Sequence, residues 1–363
     1  MIIRKVKVED HAEIKSLANK YKINVFNKTE WEKIWNENPL LKDYDKEWVK
    51  GWVMVEKDKI VGHIGNIPTQ YTLNKKTYTG SVINCWVVEE KYRLHSINLI
   101  KEYHSQQDID FFIATTSSLK TSKILPVFGW KKMPIKDYDK KLNIILNFKN
   151  VYQAYLEKKF KKFKYIFEHF SRLGNLLLSK RINFWKKLKK DNEFEVYKQF
   201  DKTFDEFWEK MKIKNKEIFL FNRKSDWMNW HLNNKIKENN LLILVKKKDG
   251  KIIGYAVCIY KQDKDLNLKK AVLIDIMLLN NDDKIFIDLI LNSINHSLKS
   301  SCDLFQIVGF NEEKRKLIYK LKPFVVKNKF STFYFNVKNL ILNDFLSKKQ
   351  YWDPSELDGD SIY

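Results

Sequence analysis

Residues 53–62, VMVEKDKIVG, return as residues 244–254, LVKKKDGKIIG, and this internal repeat limits the possible folds more than any other feature of the chain. Ile60-Val61-Gly62 and Ile252-Ile253-Gly254 stand 192 positions apart, and the run from Leu125 to Trp130 is echoed by that from Ile318 to Phe324 at almost the same offset. Two look-alike hairpins would arise easily by chance. Matching far ends at nearly the same distance would not, so the chain reads as one unit used twice. In the first copy, residues 82–88 are apolar and β-branched, as a buried strand requires. A turn at 89–95 follows, and then a helix from Ser96, read as its N-cap, with Ile97, Ile100 and Tyr103 on one face. Residues 110–115 make another strand, and 117–127 look helical up to Pro126. The second copy repeats the order: a strand at 271–279, a helix carrying Ile285, Leu289 and Ile294, and a strand at 303–308. Ahead of the first hairpin, 2–8 is a strand, Glu9-Asp10 offers a cap, and Ile14, Leu17 and Tyr21 line a helix. A second helix ends near Pro39.

A chain of 363 residues with 24 Phe, 17 Tyr and 11 Trp fills two ordinary domains and is not a disordered one. No run approaches the roughly 18 apolar residues of a membrane span. The N-terminus lacks the apolar core of a signal peptide. Cys85, Cys258 and Cys302 form neither a metal spacing nor a disulfide framework, so a reducing, cytoplasmic setting and no metal site are expected. The net charge of +23 admits two readings. One is a phosphate-bearing partner; the other is lysine spread over every solvated face.

Strand, turn and helix N-terminus at 82–98 form a possible phosphate site, because unpaired N–H groups and the helix dipole face the turn. Tyr92-Arg93 in that turn and Phe128-Gly129-Trp130 beyond it resemble the GCN5-related N-acetyltransferase (GNAT) superfamily. Leu94 and Ser96 stand where the family has glycine. The resemblance implies an α/β fold of two tandem GNAT-like (acyl-CoA N-acyltransferase) domains, each a mixed central sheet flanked by helices. It implies domains at 1–148 and 194–345, the second degenerate, since its turn carries Asp282 and Asp283 and no arginine. It implies acetyl-CoA or another acyl-CoA as co-substrate, held by Val87, Val88, Arg93, Leu94, His95, Ser96, Ile97 and Asn98. Glu89, Glu90 and His63 become the catalytic candidates, as the groups nearest the expected reaction centre able to take a proton from an amine. The family's thiolate-protonating Tyr falls on Leu125 in the first copy and on Tyr319 in the second. Cys85 reads either as a nucleophile or as a small buried hydrophobe.

The layout is similar to bacterial tandem-GNAT proteins, some tied to cell-surface polysaccharide synthesis and others Fem-like. The function implied is therefore acyl transfer to a primary amine, small or carrier-linked, such as an amino sugar. Alternatives are a Fem-like transferase using aminoacyl-tRNA and a non-catalytic binding protein. Between the copies, residues 149–193 read as a basic amphipathic helical linker, with Phe160, Phe163, Phe167 and Phe170 on one stripe. It packs on the domains, or lies on an anionic membrane face, or meets nucleic acid. The tail, 346–363, is acidic at its end, and its Trp and Tyr give it something to bury. It reads either as a solvated end or as a lid over a positive cleft.

Overall fold

The apolar runs become strands of two mixed sheets in a computed structural model that describes residues 1–118, 121–159, 180, 193–327 and 332–360. The strands are β1 (Ile2–Lys5), β2 (Gly51–Glu56), β3 (Lys59–Leu73), β4 (Lys76–Val88), β5 (Phe111–Ser117), β6 (Lys131–Lys132), β7 (Lys140–Ile145), β8 (Glu195–Tyr197), β9 (Leu220–Phe221), β10 (Leu241–Lys248), β11 (Lys251–Asp263), β12 (Leu268–Leu278), β13 (Leu304–Ile307), β14 (Phe324–Lys327) and β15 (Thr332–Val337). Among the described residues, eight of them form one sheet in the order β1-β2-β3-β4-β5-β15-β6, with β9 also against β3. Seven form the other, in the order β14-β7-β13-β12-β11-β10-β8. The repeated hairpins are β2–β3 and β10–β11, and each leads into a strand, a helix and a parallel strand.

The sheets do not part where the repeats do. β7 precedes residue 148, yet it lies between β13 and β14 of the second sheet. β15 comes from the far end of the chain and lies between β5 and β6 of the first. Each sheet therefore holds a strand from the other copy's stretch of sequence. The core is shared as well. Along β10–β12, Ile243, Val245, Val257, Val272 and Ile274 join the apolar cluster of the first sheet, while Leu242, Leu244, Cys258, Ala271 and Leu273 fill a second cluster beneath the helix Asp283–Lys299. That alternation is the period-two geometry of a strand buried on both faces, which is why these strands read as unbroken apolar runs.

Helices α1 (His11–Lys20), α2 (Lys28–Asn36) and α3 (Ser96–His104) lie where the pattern places them, but their ends are built differently. Asp10 makes no side-chain cap on α1. Its carboxylate accepts from Arg4 at 2.7 and 2.8 Å and from the Lys7 amide, so it is already engaged. Ser96 is the first residue of α3 rather than its cap, and its hydroxyl donates to the Arg93 carbonyl at 2.6 Å. The buried face of α3 is Ser96, Leu99, Ile100 and Tyr103, with Ile97 turned outward. In the second copy Asp282 caps its helix, accepting from Lys284 N and Ile285 N, which explains an acid at that turn. Of the linker, the helix Phe148–Lys159 and a few flanking residues are described. The stripe from Phe160 to Phe170 and the basic run at 181–190 lie outside the described residues. Among the described residues, no helix is long and apolar enough to cross a membrane.

Candidate functional site

The first sheet opens at one place. β4 and β5 pair in parallel only at Gly80 with Phe111, Ser81 with Phe112 and Val82 with Ile113. Beyond Val82, β4 stays on β3 while β5 pairs only with β15, so the two strands diverge into a V. A bulge in β4 accompanies the divergence. Gly65 faces Asn84 and His63 faces Val87, so Cys85 and Trp86 form the bulge, and Cys85 takes a φ of +46°. The His63 ring meets this bulge, with Nδ1 2.9 Å from the Cys85 carbonyl. The second sheet has the same construction. β12 and β13 pair from Lys270–Leu304 to Leu273–Ile307 and then part, with a bulge before Asp275.

One segment of chain serves both openings. After the helix Leu340–Leu346, Trp352 is buried against Phe219, Phe333 and Phe335 and donates to the Leu346 carbonyl at 2.7 Å. The tail then passes the second V, where Phe310 N donates to the Pro354 carbonyl at 3.1 Å and Tyr138 OH to the Ser355 carbonyl at 3.2 Å. It continues to the first V, where the last described residue is Asp360. Asp360 accepts from Thr115 Oγ1 at 2.9 Å, Thr116 Oγ1 at 2.9 Å and Asn84 Nδ2 at 3.4 Å. The acidic end therefore docks as a strap that closes on the first V.

The second V is occupied by protein. Arg223 forks onto Asp275 with bonds of 2.9 and 3.0 Å and reaches Ser355 Oγ at 3.3 Å, while Tyr255 OH donates to Asp275 at 2.9 Å. Burial opposes the Arg223 charge, but the facing Asp275 carboxylate more than offsets this and raises its pKa. Arg223, Asp275, Tyr255 and Ser355 thus bond to one another at this opening, and the turn at 279–283 carries no cationic residue.

At the first V, burial acts on carboxyls. It pushes Asp358 up from 3.8 to about 7, against the lowering effect of Arg223, the Ser355 amide and Tyr71 OH at 3.1 Å. Burial also raises Asp360, against its hydroxyl and amide donors. For Asp358 the sign of the linkage follows directly. The native state holds its proton up to about pH 7, and the unfolded chain releases it near 4. Stability therefore falls as pH rises between those values, by up to about 4 kcal/mol at 1.36 kcal/mol per unit. Asp358→Asn is expected to flatten that slope in urea titrations at pH 5 and pH 7.5.

The residues expected from sequence fall into three places. Val87 and Val88 are buried at the end of β4, opposite His63 and Gly62. Arg93, Leu94 and His95 lie in a 3-10 turn, Glu90–His95, followed by Ser96, Ile97 and Asn98 in the first turn of α3. Leu94 is 90% exposed and its φ is not positive, so its side chain neither fills the turn nor strains it. Arg93 is 38% exposed, bonded to Glu90 at 2.8 Å and stacked near Tyr21. Glu89 pairs with Lys20 at 3.0 Å. Both acids thus sit at the end of β4 that meets the 3-10 turn, away from the root of the V. His63 is 1% exposed and burial pushes it down to about 4, so it is neutral, with Nε2 lacking a hydrogen-bond partner. Cys85 is an inert thiol, pushed up to about 12 by burial. Asn84, Thr115, Thr116, Asp358 and Asp360 carry no sequence signal beyond the acidity of the tail.

No protein-family model matches the sequence, and no curated relative matches it. Solved structures do resemble it. A GCN5-related N-acetyltransferase from Anabaena variabilis ATCC 29413 aligns with a TM-score of 0.56 over 93% of this chain and 73% of its own, at 11% identity. N-myristoyltransferase from Saccharomyces cerevisiae, with bound myristoyl-CoA and inhibitors, aligns with a TM-score of 0.58 over 92% of this chain and 79% of its own, at 14% identity. At such identities the likeness is one of fold. The chain has the fold of these acyltransferases: two tandem α/β units, each with a mixed sheet flanked by helices.

Proposed function

We propose that the chain is an acyl-CoA-dependent N-acyltransferase whose first unit holds the thioester and whose acceptor is a primary amine. The observation that carries this reading is the asymmetry of the two openings. The first V leads from its bulge along β4 to a turn bearing Arg93 and then to the N-terminus of α3. The second is filled by Arg223, Asp275 and the tail. In this reading Val87 and Val88 offer β4's open edge to the pantetheine arm. Arg93, released from a surface pair of little worth, meets the diphosphate beside the first turn of α3, Ser96 to Asn98. His95 lends a further nitrogen there, and Leu94 leaves the space clear. His63 is assigned a positioning role, since its bond to the Cys85 carbonyl holds the bulge where the thioester carbonyl would lie. Glu89 holds Lys20 in place, and Glu90 is the surface partner that Arg93 leaves. The buried carboxyls Asp358 and Asp360, at the root of the V, are the proton acceptors for the amine.

Titration with acetyl-CoA tests the reading. Binding by the parent, weakened about tenfold or more in Arg93→Ala, supports it, that being the scale of one charge-assisted contact. Salt-sensitive tRNA binding with no response to acetyl-CoA points instead to a Fem-like aminoacyl transferase. No response to either leaves a binding protein. The amino-sugar acceptor of cell-surface polysaccharide rests on layout resemblance alone.

A further inference from the structure

Two cavities lie end to end on the α2 side of the first sheet, outside the thioester cradle. The inner one, of about 10 Å³, is bounded by Thr69, Val82, Phe221, Asp358 and Gly359. The outer one, of about 30 Å³, opens between α2 and the helices Ser225–His231 and Asn233–Lys237, with Glu30, Glu37 and Asn234 at its mouth. Trp230 and His231 line both and form the wall between them. The Trp230 indole donates to the Lys33 carbonyl at 3.3 Å, so a swing of that ring would join the two.

The inner cavity is mostly apolar, with the Thr69 hydroxyl and the Asp358 carboxyl among its lining groups. Thr69 is 2% exposed, and its hydroxyl has no hydrogen-bond partner, a costly state for a buried polar group. Asp358 is 3% exposed and borders the same space. Val82 is the last residue of β4 paired with β5, and Gly359 precedes the residue that closes on Thr115, so the cavity abuts the root of the V. Its volume suits one water-sized group. Proline, aromatic and aliphatic walls surround it. At the mouth, Lys33 leans on Glu37 at 3.7 Å and Lys235 on Glu238 at 3.5 Å, Lys237 approaches Lys33, and Glu30 adds a further carboxylate.

We propose that this passage admits the acyl acceptor and selects a primary ammonium on an unbranched chain, its nitrogen seated between Thr69 and Asp358. The proposal rests on the N-acyltransferase reading for its chemistry. The ammonium gives one proton to the Asp358 carboxylate. The freed nitrogen forms a bond to the thioester carbon, and the carbon–sulfur bond breaks. The second nitrogen proton ends on the departing thiolate, giving amide, CoA thiol and one proton released from Asp358. A nitrogen on a branched or ring carbon, as in glucosamine, does not fit the inner cavity.

Calorimetric titration of the full chain with n-hexylamine and with glucosamine, without any CoA, tests the seat. Saturable n-hexylamine binding is expected, tighter than that of glucosamine. It is expected to weaken about tenfold or more in Thr69→Leu, which fills the cavity, and to weaken also in the isosteric Thr69→Val, which loses only the hydroxyl. No n-hexylamine binding, equal binding by both Thr69 variants and the parent, or tighter glucosamine binding overturns the proposal. Acetyl-CoA titration separates the two readings. Turnover of acetyl-CoA with amines that is indifferent to Thr69→Leu sinks the passage and leaves the acyltransferase standing. Thr69-dependent amine binding in a chain that ignores acetyl-CoA does the reverse.

Discussion

Arg223→Met lowers the unfolding free energy by about 3–5 kcal/mol, the cost of leaving one member of a buried ion pair alone. Arg223 and Asp275 are 2% and 1% exposed, and their two oxygens and two nitrogens meet face to face. Removing the guanidinium strands the Asp275 carboxylate, which keeps only the Tyr255 hydroxyl among the side chains bonded to it. It also removes the favourable field on Asp358, whose pKa then climbs further. The loss is therefore smaller in acid than at neutral pH, since Asp358 is protonated there. The double variant Arg223→Met, Asp275→Leu is expected to recover most of the loss, because two apolar side chains replace two charges in a dry site. Recovery stays incomplete, since the Phe221 carbonyl and Ser355 Oγ also lose their Arg223 donors. Urea midpoints of the three variants decide the matter. A single variant within about 1 kcal/mol of the parent means that the pair is not buried as described.

The repeat was legible because a hairpin announces itself twice, by period-two alternation and by its turn residues, Lys57-Asp58 and Asp249-Gly250. The exchange of β7 and β15 was not. A strand such as KKLNII carries the same alternation whichever sheet it joins, and nothing in its residues names a partner. The turn at 90–95 was legible in position and obscure in detail. A leucine in place of glycine suggests an obstruction, but only the backbone shows that Leu94 points outward. The catalytic candidates followed proximity along the chain, which favours Glu89 and Glu90 beside β4. Folding brings Asp360 to Thr115 at the V, and Asp358 to Tyr71 beside it, from more than two hundred positions away. Acidity and a Trp offered a docked tail as one of two readings. Its destination depends on Asn84, Thr115 and Thr116, ordinary strand residues whose value appears only when β4 and β5 diverge.

Gly359→Ala is expected to detach the strap and, under the proposed acyltransferase function, to slow amide formation about hundredfold, the scale expected when reacting groups are displaced by an ångström or more. A Cβ at Gly359 would lie 1.8 Å from Thr115 Oγ1, 2.4 Å from its Cγ2 and 2.5 Å from its Cβ. Rotating the threonine cannot clear its own Cβ, so either the end of β5 yields or the tail lifts away. Lifting costs the burial of Leu357 and the bonds of Asp360, but returns two carboxyls that burial holds above their ordinary range to water. The effect on stability is thus modest beside the effect on the site. Limited proteolysis within residues 352–360, slow on the parent, is expected to become fast in Gly359→Ala. Adding Thr115→Gly removes all three clashing atoms while leaving the Thr116 hydroxyl to hold Asp360, so protection of the tail and part of the rate return together. If the rate returned without protection, or protection without the rate, docking and catalysis would be separate properties of the tail. An unchanged rate and an unchanged digestion in the single variant would show that Gly359 does not pack on Thr115 at all.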